Sequence, residues 1–126
     1  MALVLDTGGL IAFDRGDREV AALVEAARRR RDRVVTSSGC VAQAWRVGGP
    51  RQALLSRLLA GVWETGLDRR ISRAIGELCG AATAANVVDA HVALLVRDDD
   101  VVLTNDVDDL RGLLRTRGVS AHLRRC

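Results

Sequence analysis

The residues with the strongest claim on chemistry are aspartates. Asp6 directly follows an apolar run at residues 2–5 (ALVL), and Asp106 stands two residues beyond Thr104, at the end of a second such run at 101–104. Asp89 lies within VVDAHVALLV, apolar nearly all round, and as a helix this segment puts Asp89 on one face with Val92, Ala93 and Val96. An unpaired ionised carboxylate buried there costs roughly several kcal/mol, so it must be capped, protonated, paired with arginine or bound to a cation. Capping accounts for each acid singly. With a helix start at Asn86, Asp89 is the third residue in and can bond back to the cap, and Asp106 and Asp109 stand three apart in the same relation. Capping does not account for three acids from separate segments meeting at one edge of a sheet, where their mutual repulsion asks for a cation. Oxygen ligands without a cysteine or histidine cluster suit Mg²⁺ or Mn²⁺, and the chemistry that follows is metal-assisted phosphodiester hydrolysis.

The elements that must position these acids alternate between strand and helix. Residues 2–5, Val34 to Thr36 and Val101 to Thr104 are apolar without alternation, as in parallel strands covered on both faces, and 62–65 and 119–123 are weaker strand candidates. Val20, Leu23, Val24 and Ala27 follow helical spacing, as do Ile71, Ala74, Ile75, Leu78, Cys79 and Ala82. Leu54, Leu55, Leu58 and Leu59 mark a helix after a Gly48, Gly49, Pro50 break, and Leu110, Leu113 and Leu114 mark another ending near Gly118. A further helix starts near Ser37, with Val41, Ala44 and Trp45 as its core stripe and Gln43 and Arg46 together on another side. The expectation is a single α/β domain over residues 1–126, a three-layer sandwich with a mainly parallel central sheet flanked by helices. Function belongs at the carboxyl ends of its strands, where the carboxylates occur.

Composition narrows the chemistry. All 19 basic residues are arginine, which removes P-loop, Schiff-base and receiver-type phosphorylation chemistry, each of which relies on a lysine. A phosphatase with Asp6 as covalent nucleophile would want a second aspartate at position 8, which is Gly8, and again a lysine. Three cysteines, Cys40, Cys79 and Cys126, lie too far apart for a zinc site and read as free thiols in a reducing compartment, with Cys79 in the core. The four-residue apolar run before Asp6 is too short for a signal peptide or membrane span, so the expected location is cytoplasmic with no membrane partner. The net charge of +3 permits a nucleic-acid partner, but Arg28 to Arg31 read as the solvated end of a helix. Phe13, Trp45 and Trp63 are too few aromatics for base stacking, so recognition of any nucleic acid would rest on shape and phosphate contacts. His91 falls nearly opposite Asp89 on its helix, and His122 has no evident partner.

VLDTGGLIAF at 4–13, VVDAHVALL at 87–95 and LTNDVDDL at 103–110 together resemble, in order and spacing, the aspartate motifs of PIN-domain ribonucleases, particularly the toxins of VapC-type toxin–antitoxin pairs. The resemblance runs through essentially the whole chain. It implies a PIN-like fold and a Mg²⁺- or Mn²⁺-dependent endoribonuclease toxin, neutralised by a cognate antitoxin and forming a homodimer. It also implies Asp6, Asp89 and Asp106 as catalytic metal ligands, Asp108 or Asp109 as a further acid, and Thr7, Thr104 and Asn105 lining the site. Arg46 is a candidate to hold a phosphate, or else a solvated or paired helix arginine. The chain departs from the family at Gln43, where a glutamate is usual. Glutamine can orient a water but cannot act as a general base and binds Mg²⁺ more weakly, so the alternative expectation is a catalytically weakened PIN-like protein that binds RNA or an antitoxin.

Overall fold

The computed structural model describes residues 1–46, 52–83 and 86–126. The unalternated apolar runs form the middle of the sheet: β1 (Ala2–Leu5) is buried throughout, and β2 (Arg33–Ser37) and β4 (Val101–Thr104) are buried except at their first residues. The outer strands β3 (Trp63–Thr65) and β5 (His122–Arg125) are short and mostly polar, as edges open to solvent require. All four pairings are parallel, in the order β3-β2-β1-β4-β5. The chain therefore steps outward from β1 to β3 and then crosses to the other side of β1, which makes the gap beyond β1 and β4 the point where connections diverge and a cleft opens. Leu5 pairs with Leu103, so Asp6 leaves its strand beside Thr104.

Helices cover the sheet as right-handed crossovers dictate. α1 (Thr7–Asp14) packs against α2 (Arg18–Arg29), α3 (Ser38–Ala44) and α4 (Gln52–Leu59), whereas α5 (Arg69–Ala82), α6 (Val87–Leu95) and α7 (Val107–Arg117) pack against one another. The resulting α/β sandwich matches the expected fold class, with the sheet parallel throughout its described strands. Its core is aliphatic, with Val4, Leu5, Leu10, Leu55, Val92 and Leu110 fully or almost fully buried. Side-chain caps begin three of the helices: Asp17 accepts from Val20 N–H, Ser37, where a helix start was expected, from Cys40 N–H, and Asp68 from Ile71 N–H. Among the described residues, no single helix is long and apolar enough to cross a membrane.

Two expectations need correction, and one helix lies where none was expected. Trp45 is no core residue: α3 ends at Ala44, the chain turns extended, and the indole is 39% exposed. The last strand starts at His122 rather than 119, because Gly118 ends α7 in a left-handed turn and Ser120 is taken by the 97–100 turn, donating to Asp98 and accepting from Asp99 N–H. α1 is a helix that TGGLIAFD does not advertise, since two glycines in its first turn carry low helix propensity. The Gly48, Gly49, Pro50 break lies outside the described residues.

Candidate metal centre

Asp6 is where β1 becomes α1. Its backbone N–H donates to Leu103 O at 3.2 Å, locking the ends of β1 and β4 together, and its Oδ1 accepts the Gly9 N–H at 3.0 Å, capping α1. This cap needs α1 to approach β4 closely. A Cβ on Gly9 would stand 3.1 Å from Leu103 O, and one on Gly8 would meet the Asn105 side chain at 2.9 Å. The Asp6 carboxyl is 3% exposed, and burial raises its pKa. Hydrogen bonds from Thr104 and Gly9 act the other way, while the nearby charge of Asp106 adds to the rise.

Asp106 sits at the cap position of α7 but makes no side-chain cap bond; instead its N–H donates to Thr104 Oγ1 at 2.8 Å. Its carboxylate is thereby left to face Asp109, one turn further on, and Asp89 on α6. One oxygen from each of Asp89, Asp106 and Asp109 lies within 4.8 Å of the other two. Asp89 is the buried member, 6% exposed, and its Oδ2 has no hydrogen-bond partner. Asn86 Oδ1 accepts the Asp89 N–H at 3.0 Å, but among the described residues no N–H donates to the Asp89 carboxylate in return. Capping therefore explains Asn86 and leaves the acid itself unexplained. Burial first, then the charges of Asp106, Asp6 and Asp109, push the Asp89 carboxyl up to about 6.

The other sequence candidates are distributed around this cluster. Asp108 is outside the three-acid group: its side chain is 88% exposed and pairs with Arg111 at 3.2 Å, although the residue shares the lining of the cavity beside that group. Of the two acids the sequence left open, Asp109 is the one that converges. On the α1 side, Thr7 Oγ1 donates to Gln43 Oε1 at 2.5 Å, which ties α3 to the helix that Asp6 starts. Thr104 is fully buried, whereas Asn105 is exposed and its carbonyl accepts from Arg125 at 3.0 Å. Arg46 lies beyond the end of α3, where its guanidinium donates to Ala42 O at 3.2 Å and Trp45 O at 2.6 Å, so a phosphate would compete with both carbonyls. A cavity of about 290 Å³ opens beside the acids between α5, α6 and α7, lined in part by Thr83, Asn86, Asp89, Asp109 and Leu113. His91 is buried away from the cluster, with Nε2 unpartnered and its pKa lowered by burial, and His122 is exposed on β5.

Sequence reasoning missed two supports of the site. Arg117 Nη1 on α7 donates to Ala93 O at 2.6 Å and Val96 O at 2.9 Å, closing the carboxyl end of the helix that carries Asp89. Asp100, 3% exposed, accepts from Ala2 N–H at 2.7 Å and Arg97 N–H at 2.8 Å, fastening the start of β1 beside β4. The Arg117 bonds and the Ala2–Asp100 bond have no local signal, because they join elements distant in sequence, whereas the Arg97–Asp100 bond closes a local turn.

The cluster fits a hard divalent cation. Its donors are all carboxylate oxygens, one of them buried and unpartnered, and like charges this close repel unless one is protonated or a cation lies between them. No protein-family profile and no curated protein matches the sequence. In fold, the chain is similar to a chain of the crystal structure of VapBC2 from Rickettsia felis bound to a DNA fragment from their promoter. The TM-score is 0.69 and the identity 13%, over 98% of this chain and 99% of that one. The likeness is one of fold, and the fold is the PIN-like α/β sandwich, with a parallel five-stranded sheet between two layers of helices.

Proposed function

We propose that the chain is a divalent-metal-dependent endoribonuclease acting as a toxin, with Mg²⁺ or Mn²⁺ held by Asp89, Asp106 and Asp109 and with Asp6 beside them. The observation that carries this reading is the Asp89 carboxylate: buried, unpartnered at Oδ2, and facing two further acids. A bound cation of this kind polarises a phosphate oxygen and makes a coordinated water more acidic. The chain's own residues supply position and charge. Asp6 is fixed by Gly9 and Thr104, so its charge sits at a constant place in the cleft. Thr7 and Asn105 line the approach, and Thr104 sets the turn into Asp106 through its hydroxyl. Gln43 carries no charge and takes no proton, so general-base work falls to an aspartate.

A cognate antitoxin and self-association are proposed on two supports, the motif resemblance and the fold likeness to a chain of a VapBC2 assembly. The same supports suggest a cytoplasmic setting, and the whole chain is proposed to act as one domain. A second reading, RNA or antitoxin binding without cleavage, is favoured by Gln43 alone, since it stands where a further acid would complete the site. The two readings separate in one assay: purified protein, a panel of structured RNAs, Mn²⁺ or Mg²⁺ against EDTA, with Asp6→Asn and Gln43→Glu alongside. The nuclease reading expects metal-dependent cleavage by the wild type and none by Asp6→Asn, which keeps a good helix cap and so keeps the fold. Uncut RNA with wild type and restored cutting with Gln43→Glu would establish the binding reading instead.

A further inference from the structure

The acids of the cleft are unevenly placed. Asp89, Asp106 and Asp109 gather on the α6–α7 side, while the side formed by α1 and α3 offers Thr7 and Gln43, which are neutral. Between the two lies Asp6, one of whose oxygens already accepts the Gly9 N–H at 3.0 Å. Gln43 is held by one bond: its Oε1 accepts the Thr7 hydroxyl at 2.5 Å, and its amide nitrogen has no hydrogen-bond partner among the described residues. An amide nitrogen donates hydrogen bonds and does not ligate a hard cation.

We infer that this chain loads one divalent cation, seated among Asp89, Asp106 and Asp109, and that Gln43 stands outside the ligand set as a hydrogen-bond donor toward substrate oxygens. The inference rests on the metal-site reading above and adds the number of ions and the side on which they bind. A two-metal centre holds its ions about 3.5–4 Å apart and needs carboxylates on both flanks. Among the described residues the acids that gather closely enough to share an ion are Asp89, Asp106 and Asp109, one of them with a buried oxygen that has no other partner, and no such group includes Asp6 or forms beside Thr7. Gln43 is exposed, so its amide can reach a phosphate oxygen without carrying the charge that would repel one.

Mn²⁺ binding to the full chain, followed by isothermal titration calorimetry and by loss of the free-ion paramagnetic resonance signal, tests this without reference to activity. One Mn²⁺ per chain is expected for wild type. Gln43→Ala should bind one ion with affinity within about twofold of wild type, and Asp109→Asn should lose at least the ~tenfold typical of disturbing even a ligand's outer partners. Both positions are exposed, so neither substitution threatens the core. Two ions per wild-type chain would overturn the inference and leave the metal-dependent reading standing, as would a Gln43→Ala loss equal to that of Asp109→Asn. No Mn²⁺ bound by wild type at millimolar concentration would remove both.

Discussion

Asp89 illustrates how a single side chain can weaken the fold while serving its site. Its carboxyl has a folded-state pKa of about 6 against an ordinary 3.8, so the fold disfavours the ionised form. The sign follows from linkage: the penalty is absent below the ordinary value, grows as pH rises toward 6, and is complete above it. Metal-free Asp89→Asn should therefore be more stable than wild type at pH 7.5, by on the order of 2 kcal/mol, with the gap closing toward pH 4. Taking the difference between variant and wild type removes the opposing contribution of His91, whose lowered pKa makes the fold less stable as pH falls. Urea denaturation in EDTA at several pH values measures this. A gap that stays constant with pH would mean the carboxylate has a partner. At this scale the sequence marked Asp6, Asp89 and Asp106 for attention because charge interrupts apolar runs, but it did not separate Asp108 from Asp109. That distinction depends on the rotation of α7 about its axis, which Val107, Leu110, Leu113 and Leu114 set by turning inward.

Among the elements, α6 has the most to hold. It is apolar, mostly buried, and carries an uncompensated acid in its first turn, yet it is fastened at both ends, by Asn86 at the amino end and Arg117 at the carboxyl end. Asn86→Ala should cost about 1 kcal/mol of stability. It should also weaken Mn²⁺ binding, because the cap orients the turn that bears Asp89. Asn86→Ser should recover most of the stability, since serine caps nearly as well. Parallel urea and Mn²⁺ titrations of the two variants test this, and an alanine variant as stable as wild type would show that the cap does not hold the turn. The Asn86 cap was readable from sequence because capping is local. The Arg117 clamp was not, since it joins α7 to α6, and neither was α1, whose glycines are explained by how closely they approach β4. The same limit explains the displaced start of β5. Val119 and Ala121 look like strand residues, but contacts with the 97–100 turn set where pairing begins.

For the whole molecule, strand order does what no motif does alone. Placing β1 between β2 and β4 brings Asp6 to the switch point and lets α6 and α7 deliver Asp89, Asp106 and Asp109 to the same end of the sheet. The alternation of strands and helices, and so the layered architecture, was legible from periodicity. The asymmetry of the cleft, acidic on one side and neutral on the other, was foreshadowed only by Gln43 and needed the fold to acquire a direction. If the acidic side holds the cation proposed to drive RNA cleavage, Asp89→Asn at saturating Mn²⁺ should cut RNA at least ~100-fold more slowly than wild type, about 2.7 kcal/mol of transition-state stabilisation, in a protein that is folded and, without metal, more stable than wild type. Cleavage by Asp89→Asn at the wild-type rate would show that no catalytic cation depends on this carboxylate.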